Sequence, residues 1–255
     1  MNCKSKPTLT LGYNLDAWND YGVKIPVTVD ISPATNSHMS LSGMSGSGKS
    51  FAEMGYISKL FLAQGGDFYF ADYKGEDMFA PLRQCPRYWS FKQTLEALDI
   101  VYSRFNARLS GEDETRNQIT LVWDEYMANI LALQGEDKDK KPAERLAPSV
   151  MNKVSEILLM GRSMGVRLIT SMPRPDAIAY PAGARLNYGV VVILGAYIRS
   201  IYEMMMPDHL EQVKGRQFGR GEGVALLQGS ELHFIKIGLP QNPSRMQELC
   251  IQALS

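Results

Sequence analysis

The sequence predicts an α/β domain with a mostly parallel sheet covered by helices on both faces. Three observations carry this expectation. The half-apolar segment His38-Met39-Ser40-Leu41-Ser42 runs into Gly43-Met44-Ser45-Gly46-Ser47-Gly48-Lys49-Ser50 and then into the helix-like stretch Phe51 to Leu62. Strand-like and helix-like segments alternate through the middle of the chain, as parallel strands joined by helical crossovers require. A second buried-type strand begins at Ile119 and ends in the adjacent acids Asp124 and Glu125.

Taken in order, residues 7–32 alternate weakly. They predict two short strands, Thr8 to Leu11 and Ile25 to Ile31, as a small N-terminal β addition. After the glycine loop and its helix, Asp67 to Asp72 is an aromatic strand ending in a carboxylate, followed by the loop Tyr73 to Asp77. Leu95, Leu98, Val101, Tyr102, Phe105 and Leu109 share a helical spacing, which predicts a helix over Phe91 to Leu109. Gly111 to Asn117 reads as a polar turn, and Gly135 to Glu144 as a charged, mobile loop.

A helix over Val150 to Met160 ends at Gly161. The strand Val166 to Ser171 is broken by Met172-Pro173-Arg174-Pro175. Tyr188 to Gly195 is the most strand-like run. Ser200 to Met206 is a short helix stopped by Pro207. The segments 224–228 and 231–237, joined at Gly229-Ser230, predict a C-terminal hairpin, and Ser244 to Leu254 a final helix. No linker or internal repeat divides the chain. It is expected to be one domain, with the β addition at 1–37, a core at 38–238 and the last helix at 239–255.

With 255 residues, 45% of them hydrophobic, the chain can bury a sizeable core. Its formal net charge of zero does not mark it as a nucleic-acid binder in bulk, so any such contact must come from local patches. Cys3, Cys85 and Cys250 lack metal-ligand spacing and read as reduced thiols of a cytoplasmic protein. The first residues lack the apolar core of a signal peptide, and the longest apolar run, Tyr188 to Ile198, is too short to span a bilayer. No transmembrane segment of its own is expected. Work at a membrane would need recruitment by a partner.

The glycine loop fits G-x-x-x-x-G-K-[ST], the P-loop pattern, framed by the strand and helix that the motif needs. Backbone N–H groups of such a loop turn inward onto phosphate oxygens, and the helix N-terminus adds a field that favours anions. Gly43, Ser45, Gly46, Ser47, Gly48, Lys49, Ser50 and Phe51 are therefore the expected ATP-binding residues. Lys49 would reach the β- and γ-phosphates, and Ser50 would hold Mg²⁺ through its hydroxyl. Asp124 would complete the Mg²⁺ shell, and Glu125 would polarise the attacking water.

Asp72 and Lys74 are expected to support or couple near the phosphates. Thr170 and Ser171 end a strand where a hydroxyl can report on the γ-phosphate. A ring-forming P-loop ATPase often borrows a neighbour's arginine to stabilise transition-state charge. The candidates are Arg104, Arg108, Arg162, Arg174 and Arg185, and sequence alone does not choose among them. Arg199, Lys214, Arg216 and Arg220 form the basic, glycine-rich region in which phosphate contacts to DNA are expected.

This ordered set resembles the FtsK/SpoIIIE branch of the FtsK–HerA ATPases over residues 8 to 238. The loop is similar to that family's Gly-x-Thr-Gly-Ser-Gly-Lys-Ser. Asp72-Tyr73-Lys74-Gly75 is similar to its Asp-Pro-Lys-Gly, and Val122-Trp123-Asp124-Glu125 to its acid strand. Arg104-Phe105 falls on its Arg-Tyr pair, Gly161 to Val166 on its Gly-Arg-Ala-Ala-Gly-Ile, Arg174-Pro175 on its Arg-Pro, and Gly219 to Gly223 on its Gly-Arg-Gly-Asp. Pro173 stands where that family carries a sensing Gln.

The resemblance implies a RecA-like P-loop NTPase core and a homo-hexameric ring that translocates DNA with ATP. Arg104 would be the trans-acting catalytic arginine. A stand-alone motor of this kind resembles those of conjugative or phage-like mobile elements, with a membrane or relaxase protein as a possible partner. Viral genome packaging and protein secretion or assembly are the alternatives. The large septal translocases' membrane segment, linker and winged-helix module have no counterpart here, so chromosome segregation at a septum is not expected.

Overall fold

The computed structural model describes residues 6–32, 38–115 and 117–255. Cys3, and Arg116 of the expected polar turn, lie outside these residues. The elements are β1 (Thr8–Asn14), α1 (Leu15–Tyr21), β2 (Pro26–Asp30), β3 (His38–Ser42), α2 (Lys49–Gln64), β4 (Asp67–Asp72), β5 (Tyr88–Ser90), α3 (Thr94–Ser110) and β6 (Ile119–Asp124). There follow α4 (Tyr126–Glu136), α5 (Leu146–Met160), β7 (Val166–Met172), β8 (Tyr188–Leu194), α6 (Arg199–Met205), α7 (Leu210–Val213), β9 (Glu222–Leu227), β10 (Glu231–Lys236) and α8 (Pro243–Ala253).

All ten strands form one sheet in the order β2-β1-β10-β9-β8-β3-β7-β6-β4-β5. Strands β8, β3, β7, β6, β4 and β5 run parallel, and β9, β10, β1 and β2 continue the sheet antiparallel. The mostly parallel sheet, the β addition and the β9–β10 hairpin are therefore as expected. The addition is wired directly into the main sheet through β1 on β10.

Side chains alternate across each strand, and this sorts the core into two layers. Leu41, Phe68, Phe70, Val122 and Val192 pack against α2 and α8 on one face. Leu121, Trp123, Leu168, Val191 and Ile193 pack against α3, α4 and α5 on the other. The central strands are buried on both faces, which is why they read as apolar runs rather than alternating ones.

The structure corrects several boundaries. A seven-residue helix, α1, separates the first two strands. Asn14 caps it by accepting from Ala17 N at 2.8 Å. The helix expected from Phe91 begins at Thr94, after the edge strand β5 and a 3₁₀ turn over 91–93. Helix α5 begins at Leu146 rather than Val150.

Helix α4 fills a stretch with no element predicted for it. It also shortens the expected mobile loop at 135–144. Buried Asp137 pins that segment by accepting from Ala147 N at 2.7 Å and pairing with Lys140.

Candidate nucleotide site

The parallel strands place their carboxyl ends along one edge, where ligands of open α/β sheets bind. Asp72 and Asp124 are directly opposed in the β4–β6 register, and Leu41 opposes Ser171 in the β3–β7 register. The phosphate loop leaves β3 at this edge. Lys49, Ser50, Lys74, Glu76, Glu125, Pro173 and other residues line one cleft of about 500 Å³ there.

The loop is built around backbone that only glycine fits. Gly43 has φ +147°, and a Cβ on it would lie 2.3 Å from the carbonyl oxygen of Leu194. This close approach seats the loop against the end of β8. Buried Lys49 folds back, donating from Nζ to Gly43 O at 2.6 Å. The Ser47 hydroxyl is buried without a partner.

Asp124 is 1% exposed, and its Oδ2, beside Ser171 and Glu53, takes no hydrogen bond of good geometry. Burial, with the charges of Glu125 and Asp72, pushes its carboxyl up to about 7. Glu125 starts α4 in the left-handed conformation, φ 56°, which a non-glycine residue adopts at a cost of about 1 kcal/mol. That turn keeps its half-buried carboxyl at the mouth of the cleft beside Lys49, Lys74 and Glu76. Burial raises the Glu125 pKa, and Lys49 and Lys74 oppose the shift.

Sequence reasoning missed two acids of the cleft and its wall. Glu53, one turn along α2 from Lys49, is 1% exposed, and neither of its carboxyl oxygens takes a hydrogen bond of good geometry. Burial and the facing Asp124 raise its pKa well above the ordinary value. Only its i+4 spacing from Lys49 signals it in the sequence. Glu76 accepts from Ser50 Oγ at 2.8 Å. Asp72 does not enter the cleft. Its Oδ1 accepts from Gly75 N at 2.7 Å and Glu76 N at 3.3 Å, and its Oδ2 from Tyr88 OH, so it shapes the loop that carries Glu76.

The two hydroxyls that end β7 separate by strand alternation. Ser171 lies on the face of α2 next to Asp124 and Glu53, whereas Thr170 lies on the other face, hydrogen-bonded to Tyr188 OH at 2.7 Å. Pro173 lines the cleft and brings no donor.

The cleft carries five acids on or just behind its wall, Glu53, Asp72, Glu76, Asp124 and Glu125, against Lys49, Lys74 and Arg220. With Asp124 Oδ2 buried and lacking a hydrogen bond of good geometry, this donor set fits a divalent cation. Among the described residues no group of three or more His, Cys, Asp or Glu is arranged to hold a metal ion alone. Mg²⁺ is held by one or two protein oxygens together with phosphates and water, a demand that Ser50 and Asp124 can meet.

Of the arginines, Arg104 sits at the opposite end of the sheet. It donates from Nη1 to Asp67 Oδ2 at 2.7 Å and to Tyr69 OH at 2.9 Å. Asp67 opens β4 and Asp72 closes it, so Arg104 is remote from its own chain's cleft. Arg108 is not a surface residue. It is 3% exposed and is spent on Asp113, Thr115, Asn117 and the Met164 carbonyl. Arg174 pairs with Asp176 at 2.8 Å, Arg185 donates to Pro175 O at 3.1 Å, and Arg162 is exposed.

In the basic C-terminal region, Arg199, Lys214 and Arg216 pair with Glu203, Glu211 and Asp16. Arg220, expected among the DNA contacts, lines the cleft beside the glycine loop. It also lines an adjoining cleft of about 630 Å³ with Trp18, Phe51, Ile237 and Leu239.

No family model and no curated protein matches the sequence. Solved structures do match. The conjugation coupling protein TcpA of pCW3, with ATPγS, superposes with a TM-score of 0.68 at 18% identity, over 96% of this chain and 71% of that one. The cytoplasmic domain of the Type VII secretion ATPase EccC from Thermomonospora curvata superposes with a TM-score of 0.65 at 16% identity, over 98% of this chain. This chain spans only 31% of that EccC chain. The genome packaging NTPase B204 of Sulfolobus turreted icosahedral virus 2, in complex with AMP, gives 0.52 at 15% identity, over 80% of this chain and 98% of that one. The fold is that of these ATPases and agrees with the FtsK–HerA-type core expected from the motifs. Among the described residues no helix is long and apolar enough to cross a membrane.

Proposed function

We propose that this chain is an ATP-hydrolysing motor domain that works with Mg²⁺ in a homo-hexameric ring and translocates DNA, in conjugative transfer or another mobile-element process. The observation that carries this reading is that Lys49, Ser50 and Glu125 line one cleft from two separate elements, with Asp124 buried beside Glu125 at the end of β6. The phosphates would lie on the loop. Ser50 and Asp124 would hold Mg²⁺, whose charge stabilises the transferring phosphoryl group. Glu125 would accept the proton of the attacking water. The apolar cleft of Trp18, Phe51 and Leu239, continuous with the phosphate cleft through Gly48 and Phe51, is where the base would stack. Arg104 would act on a neighbour's site, since it cannot reach its own.

The likeness to TcpA over nearly the whole chain supports the conjugative version. The likeness to EccC over 98% of the chain supports a second reading, an ATPase module of a protein-secretion machine. Steady-state hydrolysis with single- and double-stranded DNA at two salt concentrations separates them. DNA stimulation that fades with salt is expected of the motor. Turnover indifferent to DNA but raised by a partner peptide supports secretion, and no turnover in any condition overturns both.

A further inference from the structure

We infer that Glu76 is a further member of the magnesium shell, acting through Ser50. The inference rests on the nucleotide reading above and deepens it. Ser50 Oγ, the hydroxyl expected to ligate the metal, donates its proton to Glu76 Oε2 at 2.8 Å. A hydroxyl whose proton is fixed on a carboxylate turns its lone pairs the other way. Glu76 thereby sets the orientation in which Ser50 can bind a cation, and adds a negative charge to that of Asp124. Partners of this kind govern ligand orientation and metal affinity in protein metal sites generally.

The loop that presents Glu76 is built for the purpose. Asp72, buried at the end of β4, clamps the N–H groups of Gly75 and Glu76. Arg83 Nη2 donates to Gly75 O at 2.8 Å. Gly75 has φ +69°, and a Cβ there would lie 2.6 Å from the Phe91 ring, so the turn admits only glycine. A second observation points to a cation beside it: Asp124 Oδ2, on the strand next to β4 and facing α2, is buried and takes no hydrogen bond of good geometry. Without the cation, Glu76 and Asp124 repel an incoming triphosphate. With it, they attract the loaded complex.

The test is nucleotide affinity measured calorimetrically in Mg²⁺ and in EDTA, for the wild-type chain and Glu76→Gln. Gln retains an oxygen to accept from Ser50 and removes only the charge. The expected result is opposite in the two conditions: ATP binds Glu76→Gln severalfold tighter in EDTA, while the gain from Mg²⁺ shrinks by about tenfold. Mn²⁺ titrated into the ATP complex and followed by electron paramagnetic resonance should show the same tenfold loss. Glu76→Asp, which keeps the charge but draws it back from Ser50, should recover part of the Mg²⁺ gain. An unchanged Mg²⁺ gain in Glu76→Gln, or equal weakening in Mg²⁺ and EDTA as a purely structural role would give, overturns the inference and leaves the nucleotide reading standing. A wild-type chain that binds no ATP in either condition overturns the nucleotide reading itself, and the inference with it.

Discussion

Gly221 donates its backbone N–H to the carbonyl of Ser47 at 2.8 Å, so the phosphate loop and the turn entering β9 are one unit. A second bond of the same length, from Gly195 N to Glu222 O, ties the end of β8 to that turn. The C-terminal hairpin is thus part of the site's frame although it lies far from the loop in sequence.

That frame gives a first prediction. A Cβ on Gly223 would lie 1.9 Å from the carbonyl oxygen of Ile193, a backbone atom of the paired strand β8. Gly223→Ala must push the strands apart. The expected loss is about 3 kcal/mol, on the order of 10 °C in Tm, together with weakened nucleotide binding. Thermal melts with and without ATP check both.

Lys49 and Glu125 share the cleft, and the proposed function gives them different tasks. Lys49→Ala is expected to abolish ATP binding or turnover. Glu125→Gln should keep binding and lower kcat by about 100-fold or more, the size of a lost general base. Normal turnover in Glu125→Gln would remove Glu125 from that role.

His38, at the start of β3, accepts from Leu168 N at its Nδ1, 3.0 Å away, and is therefore neutral in the fold. Burial, with the charges of Arg167 and Arg162, lowers its pKa from 6.5 to about 3. Its contribution to stability is complete above pH 6.5 and is lost as pH falls towards 3, because the unfolded chain takes up the proton first. The loss is about 1.4 kcal/mol per pH unit in that window. His38→Asn, which can still accept from Leu168, should flatten this limb in melts at pH 7, 6 and 5. An identical slope in the variant would place the acid sensitivity elsewhere.

In the proposed ring Arg104 would act in a neighbouring subunit's site, since Asp67 and Tyr69 hold it at the far end of β4. Arg104→Ala and Lys49→Ala chains should each be inactive alone. Mixed, they should regain part of the wild-type turnover, because intact Arg104 from one faces intact Lys49 from the other. If mixtures stay inactive over a range of ratios, the trans role is withdrawn. Arg104→Ala also breaks the contacts to Asp67 and Tyr69, so its melting point is to be matched first.

The phosphate loop, the Asp124–Glu125 pair and the β9–β10 hairpin were legible because each is a local pattern: a glycine spacing, an acid pair after an apolar run, a Gly-Ser turn. Helix α4 was not. It starts from Glu125 in a left-handed turn, with no side-chain cap to mark its beginning. Glu53 and Glu76 read as ordinary polar positions, and only the assembled fold sets them against Asp124 and Ser50. Arg108 misled for the reverse reason. Its place on the helix made it a candidate for a neighbour's site, and nothing local shows the Met164 and Asn117 carbonyls that receive it.

The sheet ends in two poor templates. One border is β5, three residues long, and the other is β2, which opens with Pro26 and so lacks an N–H there. A bare strand edge invites another chain to add by backbone pairing, and short or proline-blunted borders discourage it. A sheet this wide and this apolar would otherwise nucleate fibres readily. Its short and blunted borders let newly made copies crowd together with less risk of fusing edge to edge.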